Sequence, residues 1–259
     1  MDKNLIKKHL KTSLFGNNIL TFNLIDSTNT YGKKICKEGS YSGTLIISEK
    51  QTMGRGRQEK PWLSVEGKGI YMSLILDNDL SLNKLMLLPH LIAASIHSTF
   101  KKYNIHTKIK WPNDIYLNNK KISGILIEQV FDNENKGHII LGIGVNISLD
   151  ISDISPDLIN KASSIKIETG IDLNREEFIA FFLNDLELRY ENFKLNNNIN
   201  FLNICRNNSL IIGENIKYIY NNSVFKGKVL DICDDGSLLI EKSTLEKIKL
   251  ISGEVSIIL

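Results

Sequence analysis

Short apolar runs bounded by polar or glycine-containing segments predict a group of buried strands. Residues 43–49 and 70–76 are rich in Leu and Ile and have the length of core strands. Residues 137–147 form a third apolar run, and residues 19–25 are typical of an edge strand. These segments predict strands in the first two thirds of the chain.

Two longer segments repeat apolar residues at helical spacing. Residues 174–193 begin at Asn174, a favoured N-cap residue, and carry acidic residues in the first turn, where they suit the helix dipole. Residues 81–103 form the other predicted helix, with Pro89 expected in its first turn or at a kink. The apolar stripe of this helix, which should pack on a sheet, is Leu85, Leu88, Ile92, Ile96 and Phe100.

Between these helices, residues 110–128 predict a hairpin with polar groups at one strand end. The Asn-Asn pair at residues 118–119 is a typical turn between the two extended segments. Pro112 cannot donate a ladder hydrogen bond, so we expect it at a strand end, where Asn113 and Asp114 can direct their side chains toward a ligand. The segment therefore combines a structural turn with candidate binding residues.

From residue 209 onward the pattern changes to short alternating strands. The turns that separate them are at residues 221–222, 234–236 and 252–253. A polar run at residues 196–198 precedes this change. The pattern predicts two domains, an α+β domain over residues 1–208 and a small β-barrel over residues 209–259.

The composition is that of an ordinary globular protein. Of the 259 residues, 42% are hydrophobic and 24% charged, which excludes fibrous and disordered classes. A net charge of +3 gives no strong field of the kind that nucleic-acid binders use. Three widely spaced cysteines predict neither a disulfide framework nor a zinc site. We find no signal-peptide pattern or membrane-spanning run and expect a cytoplasmic protein.

The most distinctive segment is the loop at residues 51–64. Its Gly54 and Gly56 leave the backbone accessible to a ligand, and Arg55 and Arg57 offer planar donors for carboxylate or phosphate oxygens. An anionic small molecule is the occupant that this pattern favours. A solvated basic loop and a nucleic-acid contact remain alternatives from the residues alone.

A second candidate site lies at residues 26–29, where all four residues favour helix caps. The simplest interpretation is an N-cap for a helix that continues to about residue 37. Alternatively, Ser27, Thr28 and Asn29 line a pocket with small hydrogen-bonding groups at the start of that helix. The residues alone leave both interpretations open.

Five motifs, in matching order and spacing, resemble the signature of the biotin protein ligases. They are Asp26-Ser27-Thr28-Asn29, Gln51-x-x-Gly54-Arg55-Gly56-Arg57, Lys110-Trp111-Pro112-Asn113-Asp114, Lys121-x-x-Gly124-Ile125-Leu126 and Gly142-Ile143-Gly144-Val145-Asn146. The resemblance covers roughly residues 20–259. It implies an α+β catalytic domain like that of class II synthetases, with a mixed or antiparallel sheet and flanking helices, and an SH3-like C-terminal barrel.

The resemblance also implies a reaction. Biotin and ATP would form biotinyl-5′-adenylate and pyrophosphate, with Mg²⁺ as cofactor, and a lysine of a biotin carrier domain would then attack the adenylate. Such carrier domains belong to biotin-dependent carboxylases, including acetyl-CoA carboxylase, and decarboxylases. Holding two anions together requires cations, a role that Arg55, Arg57 and Lys121 suit.

Matching positions imply a set of site residues. Lys121, Arg57 and Asp114 are the expected catalytic residues, with Asp114 either a Mg²⁺ contact or a partner for the incoming lysine amine. The expected biotin-binding residues are Ser27, Thr28, Asn29, Gln51, Gly54, Arg55, Arg57, Lys121, Gly124, Gly142 and Gly144. The expected nucleotide-binding residues are Arg57, Trp62, Asn113, Lys121 and Asn146.

The chain departs from the family pattern at two loop positions and at its N-terminus. Glu59 stands where a glycine is common, and Lys60 where an arginine is common. About twenty residues precede the catalytic region, which predicts the monofunctional type without a DNA-binding domain. We also expect the 51–64 loop to be mobile without ligand and to order over biotin or the adenylate, shielding it from water.

Three other functions fit parts of the pattern. A lipoate or octanoate ligase or transferase of the same superfamily would keep the fold and the lysine. A biotin-responsive repressor would need operator binding, and a nucleic-acid module would need a steep salt dependence. No membrane partner is expected, and homodimerisation is possible but undecided by the sequence.

Overall fold

The computed structural model describes residues 1–39, 41–195, 199–220, 223–253 and 255–258. The polar run predicted at residues 196–198 and the turn predicted at residues 221–222 lie outside these ranges. Within the described ranges, no helix combines the length and the apolar character that crossing a bilayer requires.

A seven-stranded sheet forms the centre of the larger part of the chain. Its strands are β1 (Ile19–Ile25), β2 (Leu45–Gln51), β3 (Gly69–Asp77), β4 (Lys108–Lys110), β5 (Asp114–Leu117), β6 (Lys120–Phe131) and β7 (Gly137–Asn146). Their order across the sheet is β1-β2-β3-β7-β6-β5-β4. β1 and β2 are parallel and the other neighbours antiparallel, so the sheet is mixed, and the predicted edge strand at residues 19–25 is confirmed.

The predicted hairpin joins β5 to β6. Asn118 and Asn119 both have positive φ, 48° and 63°. Two-residue hairpin turns of the primed type need positive φ at both central positions, and asparagine tolerates that conformation best after glycine. The local sequence therefore determines the turn.

Six α-helices and two 3₁₀-helices, Arg57–Glu59 and Ile151–Asp153, complete the described part of the chain. The α-helices are α1 (Lys3–His9), α2 (Thr28–Cys36), α3 (Leu82–Lys102), α4 (Ile165–Thr169), α5 (Arg175–Lys194) and α6 (Ile199–Asn207). The predicted helices appear as α2, α3 and α5, with Ser27 and Asn174 as N-caps of α2 and α5. α1, α4 and α6, which are five to nine residues long, were not predicted.

Of the two positions predicted for Pro89, the first turn of α3 was wrong, and a kink at this residue stays a prediction. Pro89 lies in the helix interior, among residues whose side chains are buried in the core. An interior proline removes one intrahelical hydrogen bond. Burial of neighbours such as Leu88 and Leu91, both 0% exposed, offsets that cost by the hydrophobic effect.

The two faces of the central sheet differ in chemistry, because successive side chains of a strand point to opposite faces. On β7, Ile139, Leu141, Ile143 and Val145 belong to the main core, which includes buried residues of α3 and α5. The alternate positions include Gly142 and Gly144, and the next strands contribute Ser73 opposite Gly142 and Gly124 opposite Gly144. One face is therefore apolar and filled, and the other has small residues near its centre.

The C-terminal strands form a separate five-stranded antiparallel sheet. They are β8 (Asn215–Tyr220), β9 (Ser223–Ile232), β10 (Leu238–Lys242), β11 (Lys247–Leu250) and β12 (Val255–Ile257), in the order β11-β10-β9-β8-β12. The turn at Gly236, with φ of 80°, contacts residues of α3 and of the segment after β4. Its carbonyl oxygen accepts a hydrogen bond from Trp111 Nε1 at 2.8 Å and lies 3.0 Å from His90 Nε2.

Candidate active site

A cavity of about 330 Å³ opens on the glycine-bearing face of the central sheet. The loop at residues 51–64 borders it, together with the start of α2, β5, β6 and β7. The predicted site residues that line it are Ser27, Thr28, Asn29, Gln51, Arg55, Arg57, Trp62, Asn113, Asp114, Lys121, Gly124, Gly142 and Gly144. Residues from all five motifs thus meet around one space.

The start of α2 serves both as a helix cap and as a cavity wall. The Ser27 hydroxyl accepts a hydrogen bond from the Thr30 amide at 3.5 Å, as an N-cap does. Gln51 Oε1 accepts a hydrogen bond from the Thr28 amide at 2.8 Å, and the Thr28 hydroxyl lies 3.2 Å away. The two interpretations of residues 26–29 are therefore compatible.

A buried chain of hydrogen bonds fixes Asn29. The Ser73 hydroxyl donates to Asn29 Oδ1 at 2.6 Å and lies 2.7 Å from the Thr28 hydroxyl. Asn29 Nδ2 donates to Glu128 Oε2 at 2.8 Å. A Cβ atom at Gly142 would lie 2.3 Å from Asn29 Oδ1, so only glycine fits beneath this side chain.

The glycines at 124 and 144 leave space for Trp62. A Cβ atom at Gly144 would lie 2.4 Å from Trp62 Cε2, and one at Gly124 would lie 2.9 Å from Trp62 Cζ3. The Trp62 indole nitrogen is buried and has no hydrogen-bond partner among the described residues. In the structure, the side-chain space over the two paired glycines is therefore filled by the loop's own tryptophan.

Cationic side chains of the loop are held by polar partners around the cavity. Arg55 Nη2 donates to Glu128 Oε1 at 3.0 Å. Arg57 donates to Asn113 Oδ1 and to the Gly253 carbonyl, both at 3.2 Å. The loop thus contacts the central sheet, the β4–β5 segment and the C-terminal sheet.

Lys121 lies on the hairpin beside the acidic residue of the cavity. Its Nζ atom is 2.7 Å from Asp114 Oδ1 and 5.5 Å from the Trp62 ring centre. Burial, and then the Asp114 carboxylate, raise the pKa of Tyr116, another lining residue, so its hydroxyl stays protonated at neutral pH. Among the described residues, no group of three or more His, Cys, Asp or Glu side chains could hold a metal ion.

Two predicted residues lie outside the cavity lining. Gly54 is packed within the loop, where a Cβ atom would lie 2.9 Å from Gln51 Nε2 and 3.1 Å from the Trp62 carbonyl oxygen. Asn146 is 4% exposed and donates to the Ser163 carbonyl at 2.9 Å. Its buried Oδ1 accepts no hydrogen bond from the described residues.

Several lining residues were not predicted as site residues. Lys110 and Tyr116 lie within the hairpin segment, where the density of polar and aromatic groups could have indicated them. Gly253, Val255 and Ser256 come from the C-terminal segment, and no local pattern marks them. They reach the cavity only because the smaller sheet docks beside the loop.

Position 59, one of the two loop positions where the chain departs from the family pattern, has a left-handed backbone conformation. Glu59 has φ of 55°, and Gln58 before it has φ of 56°. This left-handed region favours glycine and costs a residue with a side chain about 1 kcal/mol. The structure therefore explains why glycine suits position 59.

Family models match the chain in two segments. Residues 21–146 match the Biotin/lipoate A/B protein ligase family, and residues 211–257 match the Biotin protein ligase C terminal domain. The first segment contains all five motifs quoted above from residue 26 onward, and the second covers the five-stranded sheet.

Individual relatives agree with the family models. The bifunctional ligase/repressor BirA of Bacillus spizizenii is 35% identical over 245 residues, which cover 94% of this chain and 75% of that protein. The biotin–[acetyl-CoA-carboxylase] ligase of Mycobacterium tuberculosis is 26% identical over 206 residues, 77% of this chain and 73% of that protein. A solved biotin protein ligase from Aquifex aeolicus, in complex with biotin and ATP, superposes with a TM-score of 0.81 at 29% identity, covering 93% of this chain and 98% of its own.

Proposed function

The chain belongs to the biotin protein ligase family, and we propose that it activates biotin with ATP and transfers it to a lysine of a carrier domain. First, a carboxylate oxygen of biotin attacks the α-phosphorus of ATP, and pyrophosphate leaves. Then the amine of the carrier lysine attacks the acyl carbon, and AMP leaves. The observation that carries this proposal is one cavity that joins a small polar pocket at α2 to Lys121 and the loop arginines.

The polar end of the cavity suits the ureido ring of biotin. That ring has two N–H donors and one carbonyl acceptor, which need hydrogen-bonding partners once they leave water. Ser27, Thr28 and Gln51 supply hydroxyl and amide groups there, and Asn29 lies beside them over Gly142. The hydrogen bonds among these side chains hold them in place before the ligand arrives, which reduces the entropic cost of binding.

The cationic end suits the reacting anions. The biotin carboxylate and the α-phosphate repel each other, and a cation between them is worth more in a cavity than in water. Lys121 Nζ takes this position, exchanging its contact with Asp114 for the substrate oxygens. Arg57 supplies a second charge, held in place by Asn113 and the Gly253 carbonyl.

We expect the nucleotide to bind at this cationic end of the cavity as well. Trp62 offers an aromatic surface and Asn113 an amide near Arg57, both lining the cavity. The adenylate contact expected of Asn146 stays a prediction, because its side chain lies behind the lining residues. Gly253, Val255 and Ser256 bring part of the C-terminal segment within reach of the nucleotide or the carrier domain.

A magnesium ion fits the cavity only together with ATP. Asp114 is the acidic residue among the described residues that line it, and Mg²⁺ usually takes one or two carboxylates together with substrate phosphates. When bound, the ion would neutralise charge on the phosphates. Asp114 could hold it or could accept a proton from the carrier lysine, whose amine must be neutral to attack.

The carrier lysine reaches the adenylate while the loop keeps water away from the mixed anhydride. Arg57 anchors the loop through contacts to Asn113 and Gly253. We expect Arg57→Ala to release more free adenylate than the wild-type protein. Equal release would remove the shielding role, and hydrogen exchange of the loop with and without biotin tests whether it orders over the ligand.

The decisive experiment is mass spectrometry of a biotin carrier domain after incubation with the protein, biotin, ATP and Mg²⁺. We expect one lysine of the carrier to gain the mass of a biotinyl group. Lys121→Ala should lower the rate about a thousandfold, the loss expected when one preorganised charge is removed from an adenylation site.

Lys120→Ala is the matched control. Lys120 precedes Lys121, and its Nζ lies 3.6 Å from Glu168, outside the cavity lining. This variant should keep the wild-type rate. An equal loss in both variants, or no mass gain with biotin at all, would contradict the proposal.

The family model also covers lipoate ligases, which makes a lipoate or octanoate ligase the alternative. Calorimetry with each acid separates the two functions, since tight lipoate binding without a heat of biotin binding would favour the alternative. We further propose that the protein acts in the cytoplasm on the carrier domain of a carboxylase and that it does not bind DNA. A gel shift that shows specific operator binding would contradict the proposal on DNA.

A further inference from the structure

Glu128 on β6 is the shared partner of two separate parts of the site. Its Oε2 accepts a hydrogen bond from Asn29 Nδ2 at 2.8 Å, and its Oε1 accepts one from Arg55 at 3.0 Å. Lys33 of α2 also donates to Oε1, at 2.8 Å. The carboxylate therefore joins the floor of the polar pocket to the loop that borders the cavity.

The alternation of side chains along β6 directs Glu128 to the cavity face of the sheet. Gly124, Leu126 and Glu128 alternate along β6 and so share one face, and the first two line the cavity. Glu128 lies just beyond the lining, with 21% of its side chain exposed. It cannot touch the reacting atoms directly, but it contacts two residues that line the cavity.

The bond from Asn29 fixes the orientation of a buried amide. With Nδ2 directed at Glu128, Oδ1 points to the Ser73 hydroxyl, which in turn lies next to Thr28. A rotated amide would place NH₂ against a hydroxyl donor and oxygen against the carboxylate, which is repulsive. The charge on Glu128 thus determines which face Asn29 presents to the ligand.

The same charge holds Arg55. A charge-assisted hydrogen bond of this kind is roughly twice as strong as a neutral one, and neither partner is fully exposed. Burial by itself would raise the pKa of Glu128, but hydrogen bonds from Lys33 and Asn29, with the charges of Lys33 and Arg55, lower it below its usual value. Glu128 therefore stays ionised at neutral pH.

We propose that Glu128 is a positioning residue of the biotin site, coupling the orientation of Asn29 to closure of the 51–64 loop through Arg55. The effect on the KM for biotin, which is one of the tests below, rests on the proposed function. The coupling itself is a property of the protein alone and can be measured without any ligand.

The test compares Glu128→Gln with Gln129→Ala, an exposed neighbour on the same strand. Glu128→Gln keeps the side-chain shape and removes the charge. In the ligand-free protein we expect hydrogen exchange in the loop to be about tenfold faster than in wild type, the effect of losing one hydrogen bond between charged groups. The KM for biotin should rise about tenfold, with kcat at saturating biotin within about twofold.

A double variant distinguishes coupled effects of Glu128 and Arg55 on the loop from independent ones. Arg55→Gln should speed loop exchange as much as Glu128→Gln does, and the double variant should be no worse than the more affected single variant. Gln129→Ala should behave as wild type. Additive effects, unchanged loop exchange, or faster exchange confined to β6 and β7 would each overturn the proposal.

The ligand-free measurement separates this inference from the proposed function. If the wild-type protein bound no biotin, the function would fail, and the exchange data would still decide whether Glu128 holds the loop. If biotin were activated normally while Glu128→Gln matched wild type in loop exchange and KM, only the positioning role would fail.

Discussion

The two faces of the central sheet are built from the same strands but perform different tasks. On β7, Leu141 is 1% exposed within the main core, whereas its neighbour Gly142 lies under Asn29 at the cavity. One face is filled by large apolar side chains packed with α3 and α5. Around the cavity, the other face carries glycines, hydroxyls and one ionised glutamate and leaves room for a ligand, and beyond the cavity Ile46, Ile75 and Ile140 pack with Ile35 and Cys36 of α2.

This difference shows how stability and binding can be separated at a spacing of one residue. Burial of apolar area on the first face stabilises the fold. Around the cavity, the second face can then keep small residues, which contribute little to packing. Substitutions on the apolar face should therefore change the free energy of unfolding, whereas substitutions on the cavity face should change the affinity for biotin.

The largest effect is expected on the apolar face. Leu141→Ala removes a fully buried side chain and should lower the free energy of unfolding by about 3 kcal/mol, because a cavity replaces lost contacts. Urea denaturation measures this value. Biotin affinity of the folded fraction should stay within a few-fold of wild type, and a much weaker affinity would break the comparison.

At the neighbouring position 142, a substitution should mainly weaken biotin binding. In Gly142→Ala the new Cβ would lie 2.3 Å from Asn29 Oδ1, and Asn29 is too buried and too short to move aside without losing its hydrogen bonds. Biotin affinity should fall about 100-fold, equivalent to about 2.7 kcal/mol, as measured by calorimetry. Wild-type affinity would show that this face does not bind the ligand.

Two carboxylates sharpen the comparison. Glu187 of α5 lies beside the apolar face and accepts hydrogen bonds from the amides of Ser13, Leu14 and Phe15. Burial would raise the pKa of Glu187, but these hydrogen bonds lower it below 4.5. Unlike those of Glu128, these hydrogen-bond partners of Glu187 lie outside the cavity lining, so its loss should affect stability alone.

Glu187→Gln should lower the free energy of unfolding by about 2 kcal/mol at neutral pH. A carboxylate with a lowered pKa stabilises the fold fully above its unfolded value, near 4.5, and this contribution is lost as pH falls through the folded value. The difference between variant and wild type should therefore shrink below about pH 4.5. Urea denaturation across this range measures it, and a constant difference would assign the effect to shape instead of charge.

The smallest effect is expected in the loop. Glu59→Gly removes the strain of a positive φ and should stabilise the closed loop by about 1 kcal/mol. Slower hydrogen exchange in the loop, with unchanged global stability, is the expected result. Glu59→Ala keeps the strain and should show no such slowing, and equal slowing in both variants would assign the effect to loss of the carboxylate.

Much of the fold could be predicted because the signals were local. The Asn118–Asn119 turn, the Asn174 cap and the stripe of α3 each depend on residues close in sequence. Pro89 lies inside α3 and not in its first turn, because tertiary burial outweighs the local preference. The short helices α1 and α6 depend on packing, since segments of that length are marginal alone.

The site was predictable in part for the same reason. Residues in dense motifs, such as Lys121 and Arg57, were identified, and they line the cavity. Glu128 was missed because a single glutamate on a strand resembles a solvated residue. The role proposed for it depends on contacts with Asn29 and Arg55, which lie 99 and 73 residues away in sequence.

The sequence by itself determined the chemistry that is available: the glycines, the cations, the caps and the alternation that separates the two sheet faces. Local propensity and side-chain chemistry are written in neighbouring residues, so they can be read without a structure. Only the tertiary structure decided that Trp62 fills the space over Gly124 and Gly144 and that Gly253 meets Arg57. Such contacts follow from the packing of distant segments, which no local pattern encodes.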